Sequence, residues 1–347
     1  MAVMFDLIRP FLFAIDPERA HRLTVAALRV RSGDHAQAED DSLAVTVAGL
    51  RFPNPLGMAA GFDKDAQVAG QLYSLGFGFV EVGSITPLPQ AGNPRPRLFR
   101  LVEDQAVINR MGFNNAGSQV AAARISRLRQ RGLPGPLGIN IGANKDSCDR
   151  IDDYRRMAQV MAPLADYLAI NISSPNTPGL RALQDESALI SVLDAVDEGC
   201  GGHAVPVFLK VAPDLQPADV DSIARIALDR GLDALIVANT TVARPPLRSR
   251  QGGEAGGLSG APLKELSLAC LRDFRRATGG AIPLIGVGGI GSAADAWERI
   301  RAGASLVQLY SALVYGGPGL PRRILRDLKQ LMRRDGFSRV AEAVGTE

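Results

Sequence analysis

Five asparagines, Asn109, Asn140, Asn171, Asn176 and Asn239, stand at or near the ends of short apolar runs, together with two lysines, Lys64 and Lys210. Asparagine amides pair donors with acceptors without adding charge, which suits a flat ring with amide edges. A single asparagine equally serves a turn, so the argument rests on five of them meeting at one mouth. The lysines offer cations to a carboxylate, an anionic ring edge or a phosphate. Lys64 also reads as a surface residue. Lys210 closes the run Val205-Pro206-Val207-Phe208-Leu209 and sits inside an apolar strand.

Proton transfer has one hydroxyl candidate, Ser174, because His21, His35 and His203 lie away from the run ends. A serine hydroxyl is a poor base near neutral pH. It serves only where the substrate proton becomes acidic as the reaction proceeds, or where a water relay carries the proton away. Ser173-Ser174-Pro175-Asn176 also reads as a plain turn. Gly286-Val287-Gly288-Gly289 precedes a helix starting near Ser292, and backbone N–H groups in such a place receive a phosphate. The competing reading is a tight turn that needs glycine for its dihedrals. Cys148, Cys200 and Cys270 are scattered without a CxxC pair, so no disulfide framework, zinc site or iron–sulfur site is expected, and no metal.

The apolar runs cover 56–60, 77–82, 137–141, 167–172, 205–211, 234–238, 282–287 and 305–310. Each has strand length, most are apolar at consecutive positions, and the spacing leaves room for crossover helices. Eight such units predict a (β/α)8 TIM barrel of α/β class, whose chemistry lies at the C-terminal ends of the strands. Those ends deliver Ala60-Gly61-Phe62-Asp63-Lys64, Ser84, Asn140, Asn171 to Asn176, Lys210, Ala238-Asn239-Thr240, Gly289 and Tyr310-Ser311. A doubly wound sheet would carry a GxGxxG turn after its first strand, and this chain has none there.

The first forty residues differ in kind. Asp16-Pro17-Glu18 places an N-cap, an N1 proline and an early acid at the head of a helix running to about Arg31. Upstream, Met4, Phe5, Ile8, Phe11, Leu12 and Ile15 recur at near-helical spacing, with Pro10 either kinking that helix or starting a shorter one. Residues 1–40 are thus expected to form a two-helix extension, and 41–347 the barrel, entered through a hairpin over 43–54 that turns at Ala48-Gly49. Arg19, Arg22, Arg29 and Arg31 make the second helix basic and suited to an anionic bilayer surface, although packing on the barrel is an equal alternative. A formal charge of +3 is too small to indicate nucleic acid. The absence of any signal or transit segment predicts a cytoplasmic-face location.

Four motifs carry a resemblance: Asn54-Pro55-Leu56-Gly57 continuing to Lys64-Asp65; Asn109-Arg110-Met111-Gly112-Phe113-Asn114-Asn115; Asn171 to Leu180; and Gly256-Gly257-Leu258-Ser259-Gly260. With them the chain resembles the dihydroorotate dehydrogenases, in particular the membrane-associated, quinone-reducing class. The resemblance implies one FMN held by Ala60, Gly61, Phe62, Asp63, Lys64, Ser84, Asn140, Asn171, Lys210, Ala238, Gly260, Gly289, Tyr310 and Ser311. It implies dihydroorotate contacted by Lys64, Asn109, Arg110, Met111, Gly112, Phe113, Asn171, Asn176, Asn239 and Thr240, with Ser174 as the base. Relatives of the soluble class carry cysteine at Ser174, so the serine itself favours the quinone class. Ser84 is threonine in some relatives, and Ala238 replaces a threonine, which puts one side-chain contact in doubt.

The activity so implied is oxidation of dihydroorotate to orotate in de novo pyrimidine synthesis, with a membrane quinone as final acceptor. The enzyme would sit peripherally on the cytoplasmic face of a bacterial inner membrane, with no iron–sulfur partner subunit. His21, Arg100 and Tyr310 are candidates for the quinone path, and the loop over 177–183 for a lid. Three rivals stay open at this point: a soluble dehydrogenase of the same barrel, a redox-free phosphosugar barrel, and a non-catalytic membrane-surface module.

Overall fold

The structure is a computed structural model that describes residues 2–30 and 41–347. Helix α1 (Ala2–Ala14) continues through Pro10, so neither a break nor a shorter start is needed there. Helix α2 (Pro17–Arg29) begins where Asp16 accepts the Arg19 N–H at 2.9 Å, with proline at the first helical position. Arg31, His35 and the expected boundary at residue 40 lie outside the described residues.

The hairpin of β1 (Val45–Val47) and β2 (Leu50–Phe52) turns through Ala48 and Gly49, both at positive φ, as a two-residue turn matched to strand twist requires. Beyond it the eight runs form the expected barrel. In chain order its strands are β3 (Leu56–Met58), β4 (Phe79–Ile85), β7 (Leu137–Ile141), β8 (Tyr167–Asn171), β9 (Val207–Val211), β10 (Ala234–Val237), β12 (Leu284–Val287) and β13 (Ala304–Leu309). All neighbours pair in parallel, and β13 closes on β3. Two glycines let large rings fill the barrel wall. A Cβ on Gly57 would lie 2.3 Å from the Phe79 ring, and one on Gly138 would lie 2.1 Å from Tyr167. Tyr167 in turn stacks on Phe208 with centroids 4.3 Å apart.

A second sheet was not foreseen. Strands β5 (Leu98–Leu101), β6 (Ala106–Asn109) and β11 (Gly257–Gly260) pair antiparallel over the barrel mouth around Phe99, Leu101, Ile108 and Leu258. Its third strand is Gly-Leu-Ser-Gly, which has little strand propensity and gains its conformation from a partner far along the chain.

Helix α2 is clamped to this region by charge. The buried carboxylate of Glu18 accepts from Arg95 (Nε 3.2 Å, Nη2 2.8 Å) and from the buried Arg97 (Nε 3.1 Å, Nη2 2.9 Å). The hydrogen bonds from Arg97, and then those from Arg95, hold the Glu18 carboxyl down to about 2. A carboxyl depressed on folding stabilises above its unfolded pKa, and that stability is lost as pH falls towards the folded value. Between about pH 4.5 and pH 2 the chain is therefore expected to lose about 3 kcal/mol through this residue. Glu18→Gln should show a lower melting temperature at pH 7 and a flatter acid limb. Superimposable acid limbs for the two proteins would remove Glu18 as the cause.

Candidate active site

The strand ends and the N-terminal helices enclose one continuous cavity of about 1470 Å³. Its floor is a ladder of amides built on a buried acid. Glu81 on β4 is fully buried and accepts from Asn140 Nδ2 at 2.8 Å, Gln308 Nε2 at 2.8 Å and Tyr167 Oη at 3.3 Å. Lys210 Nζ stands 3.6 Å from the same carboxylate, beyond hydrogen-bonding range. From Asn140 the ladder climbs outward. Ser84 Oγ donates to Asn140 Oδ1, Asn171 Nδ2 donates to Ser84 Oγ at 2.9 Å, and Asn239 Nδ2 donates to Asn171 Oδ1 at 3.2 Å and Ser173 Oγ at 3.0 Å. Each amide is thereby fixed in one orientation.

A second amide pair also lines the cavity, where Asn176 Nδ2 donates to Asn109 Oδ1 at 3.0 Å. Gln90 Nε2 holds the Gly112 and Phe113 carbonyls at 3.2 and 3.1 Å, which presents Met111, Gly112 and Phe113 to the cavity. Ser174 lines the cavity too and is buried, and among the described residues its Oγ accepts only a long 3.4 Å contact from the Asn176 N–H. The segment after it is tethered by Arg181, which donates to the Ser173 carbonyl at 3.1 Å, the Thr240 carbonyl at 3.1 Å and Asp214 Oδ2 at 2.9 Å.

At one end of the cavity, Gly288 and Gly289 turn at positive φ against the helix Lys264–Ala277. A Cβ on Gly289 would fall 2.4 Å from Lys264 Cα, so glycine is required there. Among the described residues neither Gly289 nor Ile290 donates its backbone N–H to another group. Gly260, Tyr310 and Ser311 complete this end, with Ser311 Oγ 2.7 Å from Ser259 Oγ.

Lys64 closes the inner side, its Nζ donating to the Gly61 carbonyl at 2.5 Å. Burial lowers its pKa to about 8, which leaves it largely charged at neutral pH, and a bound carboxylate would raise that value again. Above it His21 of α2 packs edge-on to Phe62 at 5.3 Å and lies 6.4 Å from Tyr310. Loss of water around that ring, and then the Lys64 charge, lower the His21 pKa to about 3, leaving a neutral imidazole at ordinary pH. Arg100 donates to the Leu12 and Ile15 carbonyls at the turn between α1 and α2 and lies over the Phe13 ring at 4.9 Å.

Three expected site residues stand apart from the cavity surface. Asp63 turns its carboxylate inward to accept the Gln67 and Val68 N–H groups at 2.8 and 2.7 Å. Asn140 lies behind Ser84 and supports it. Arg110 pairs with Glu254 at 2.8 Å and lies over the Phe99 ring, facing outward. The remaining expected residues, from Ala60 and Gly61 to Ala238 and Thr240, all line the cavity.

A family model described as dihydroorotate dehydrogenase matches residues 42–332, nearly the whole barrel. The chain belongs to the dihydroorotate dehydrogenase family. It is 63% identical over 346 residues, covering 99% of both chains, to a Novosphingobium aromaticivorans protein named dihydroorotate dehydrogenase (quinone). An Erythrobacter litoralis protein of the same name is 65% identical, over 99% of this chain and all of its own length. Among solved structures, the dihydroorotate dehydrogenase of Eimeria tenella in complex with ferulenol superposes with a TM-score of 0.92 at 42% identity, covering 95% of each chain.

The geometry shows what the residue types alone left unread. Glu81 anchors the ladder yet reads in the sequence as one charge in an apolar strand. That interruption of the run 77–82 was the available signal. Ser259, Gly288 and Ile290 also line the cavity, and they lie one residue from positions that were chosen.

Proposed function

We propose that this chain oxidises dihydroorotate to orotate in de novo pyrimidine synthesis, with one bound FMN as hydride acceptor and a membrane quinone as final acceptor. The observation that carries the reading is the single cavity that runs from the neutral amide ladder to the space between α1 and α2. Family membership disfavours the redox-free barrel and the non-catalytic module.

The donor set fits both the ring and the phosphate of FMN. Lys210 is a buried cation 3.6 Å from the Glu81 carboxylate, and among the described residues Gly289 and Ile290 hold unspent N–H groups beside a turn that a Cβ would fill. Gly260, Gly289, Tyr310 and Ser311 would hold the phosphate, and Ala60 to Lys64, Ser84, Asn171, Lys210 and Ala238 the ring system. Asp63 and Asn140 would serve from behind, through the turn and the ladder they support. FMN, when bound, supplies a two-electron acceptor that can be reoxidised by a quinone.

The rest belongs to the protein. Lys64, Asn109, Asn176, Asn239 and Thr240, with the segment 111–113, orient the planar substrate and its carboxylate, which reduces the orientational cost of reaction. Arg110 stands off the cavity and supports the neighbouring segment 111–113, its side chain paired with Glu254 and its carbonyl accepting from Asn93 Nδ2 at 3.0 Å. Ser174 takes the C5 proton, and the surrounding amides exclude competing charge. His21, Arg100 and Tyr310 border the route between the ring site and α1 and α2.

Residues 1–40 form the quinone entrance and 41–347 the catalytic barrel. Leu7, Phe11, Leu23 and Val30 expose large apolar surface on the two helices, beside the basic Arg9, Arg19, Arg22 and Arg29. This combination suits peripheral binding to the cytoplasmic face of a bacterial inner membrane. Among the described residues no helix is long and apolar enough to cross a membrane.

The test is an anaerobic visible spectrum before and after dihydroorotate, and again after a soluble quinone. Bleaching of a flavin band followed by its recovery is expected. A protein with no flavin band after FMN reconstitution overturns the cofactor, and bleaching that quinone does not reverse overturns the acceptor.

A further inference from the structure

We infer that Arg299, a residue outside the cavity, is the positioning residue that aims the Gly288-Gly289 turn at a flavin phosphate. The inference rests on the FMN reading above and concerns how its phosphate end is built.

Arg299 lies near the end of the helix Ala293–Arg301 and is 1% exposed. Buried arginine is normally matched by a carboxylate, because an uncompensated charge in the interior is costly. Here, among the described residues, the guanidinium donates to none. Its Nη2 shares two protons among three acceptors within range, the Gly288 carbonyl at 2.8 Å, the Lys264 carbonyl at 3.0 Å and Ser267 Oγ at 2.9 Å, and its Nη1 donates to the Asp295 carbonyl at 3.2 Å. The nearby acids, Asp295 and Glu298, are engaged instead by Lys264 Nζ, at 2.9 and 3.4 Å. Burial lowers the Arg299 pKa, yet guanidinium remains charged at neutral pH.

The peptide that joins Gly288 to Gly289 is trans, so its C=O and N–H point to opposite sides. Drawing the Gly288 oxygen towards Arg299 therefore turns the Gly289 N–H to the cavity side, where no group among the described residues receives it. The cation also polarises that peptide and strengthens the dipole offered to an anion. Ser267 Oγ reinforces the hold, its one proton within reach of the same Gly288 and Lys264 carbonyls at 2.9 and 3.1 Å. Arg299 thus fastens both sides of the cradle, the glycine turn and the start of the helix Lys264–Ala277. It also brings a charge of the sign a phosphate needs, without occupying the site.

The discriminating readout is flavin preference. Apoprotein is titrated with FMN and with riboflavin, which lacks only the phosphate, and binding is followed by flavin fluorescence. Arg299→Gln is expected to weaken FMN binding about tenfold or more, the loss of charge-assisted bonds, while riboflavin affinity stays within about twofold. Arg299→Lys should recover part of the preference. If Arg299→Gln fails to fold, Ser267→Ala removes one of the two donors to the Gly288 oxygen and should lower the FMN preference about threefold. Equal weakening of both flavins, or an unchanged FMN preference, overturns the inference. A wild-type protein that takes up neither flavin overturns the FMN reading and this inference with it.

Discussion

Ser174→Ala is expected to retain FMN and to slow reduction of the flavin by dihydroorotate by roughly 10²–10⁴, the range for loss of a positioned proton-transfer group. The hydroxyl is buried against the cavity, with one weak contact from the Asn176 N–H at 3.4 Å, so its removal costs the fold little. The Asn109–Asn176 pair, the amide ladder and the glycine turn do not depend on it. Substrate affinity should therefore hold while the reductive rate falls. Among the described residues no carboxylate or imidazole is hydrogen-bonded to Ser174, so the neighbourhood holds no ready substitute base. Ser174→Cys gives the complementary test. A thiol ionises far more readily than a serine hydroxyl, and this variant should recover rate with a pH optimum moved downward. Reduction of the alanine variant at the wild-type rate would exclude Ser174 as the base.

The barrel was legible because its strands are buried on both sides and read as mostly apolar runs, which the structure reproduces to within a few residues. The hairpin was legible through Ala48-Gly49 and the helix α2 through Asp16-Pro17. The antiparallel sheet over the mouth was not. Gly257–Gly260 has no local preference for a strand, and only Ala106–Asn109 makes it one. The same distinction runs through the site. Strand position placed Asn171, Lys210 and Asn239 at the cavity, but it could not tell that Asn140 would face inward to Glu81 or that Arg110 would turn away to Glu254. Side-chain direction at a loop is decided by partners, and those partners are distant in sequence. Glu18, Arg97 and Arg299 show the same limit. Each is a charged residue that composition assigns to solvent, and each is buried because another segment supplies its hydrogen bonds.

Lys210→Met is expected to slow flavin reduction by roughly 10²–10³ and to make the reduction potential of the bound flavin more negative, through loss of a preorganised cation in a site shielded from water. The reasoning starts from the geometry of Glu81. That carboxylate already accepts hydrogen bonds from Asn140, Gln308 and Tyr167, so Lys210, at 3.6 Å, balances its charge without being consumed by it. The ammonium is left to face the cavity. A single substitution confounds the two roles, because deleting one member of a buried pair costs about 3–5 kcal/mol by leaving the other uncompensated. The double variant Lys210→Met/Glu81→Gln separates them. It removes both charges, keeps an acceptor for the Asn140 amide, and should regain the thermal stability lost by the single variant. If Lys210 acts on the flavin, the double variant stays slow and its potential stays negative. Recovery of rate and potential along with stability would mean that the lysine serves only to neutralise Glu81.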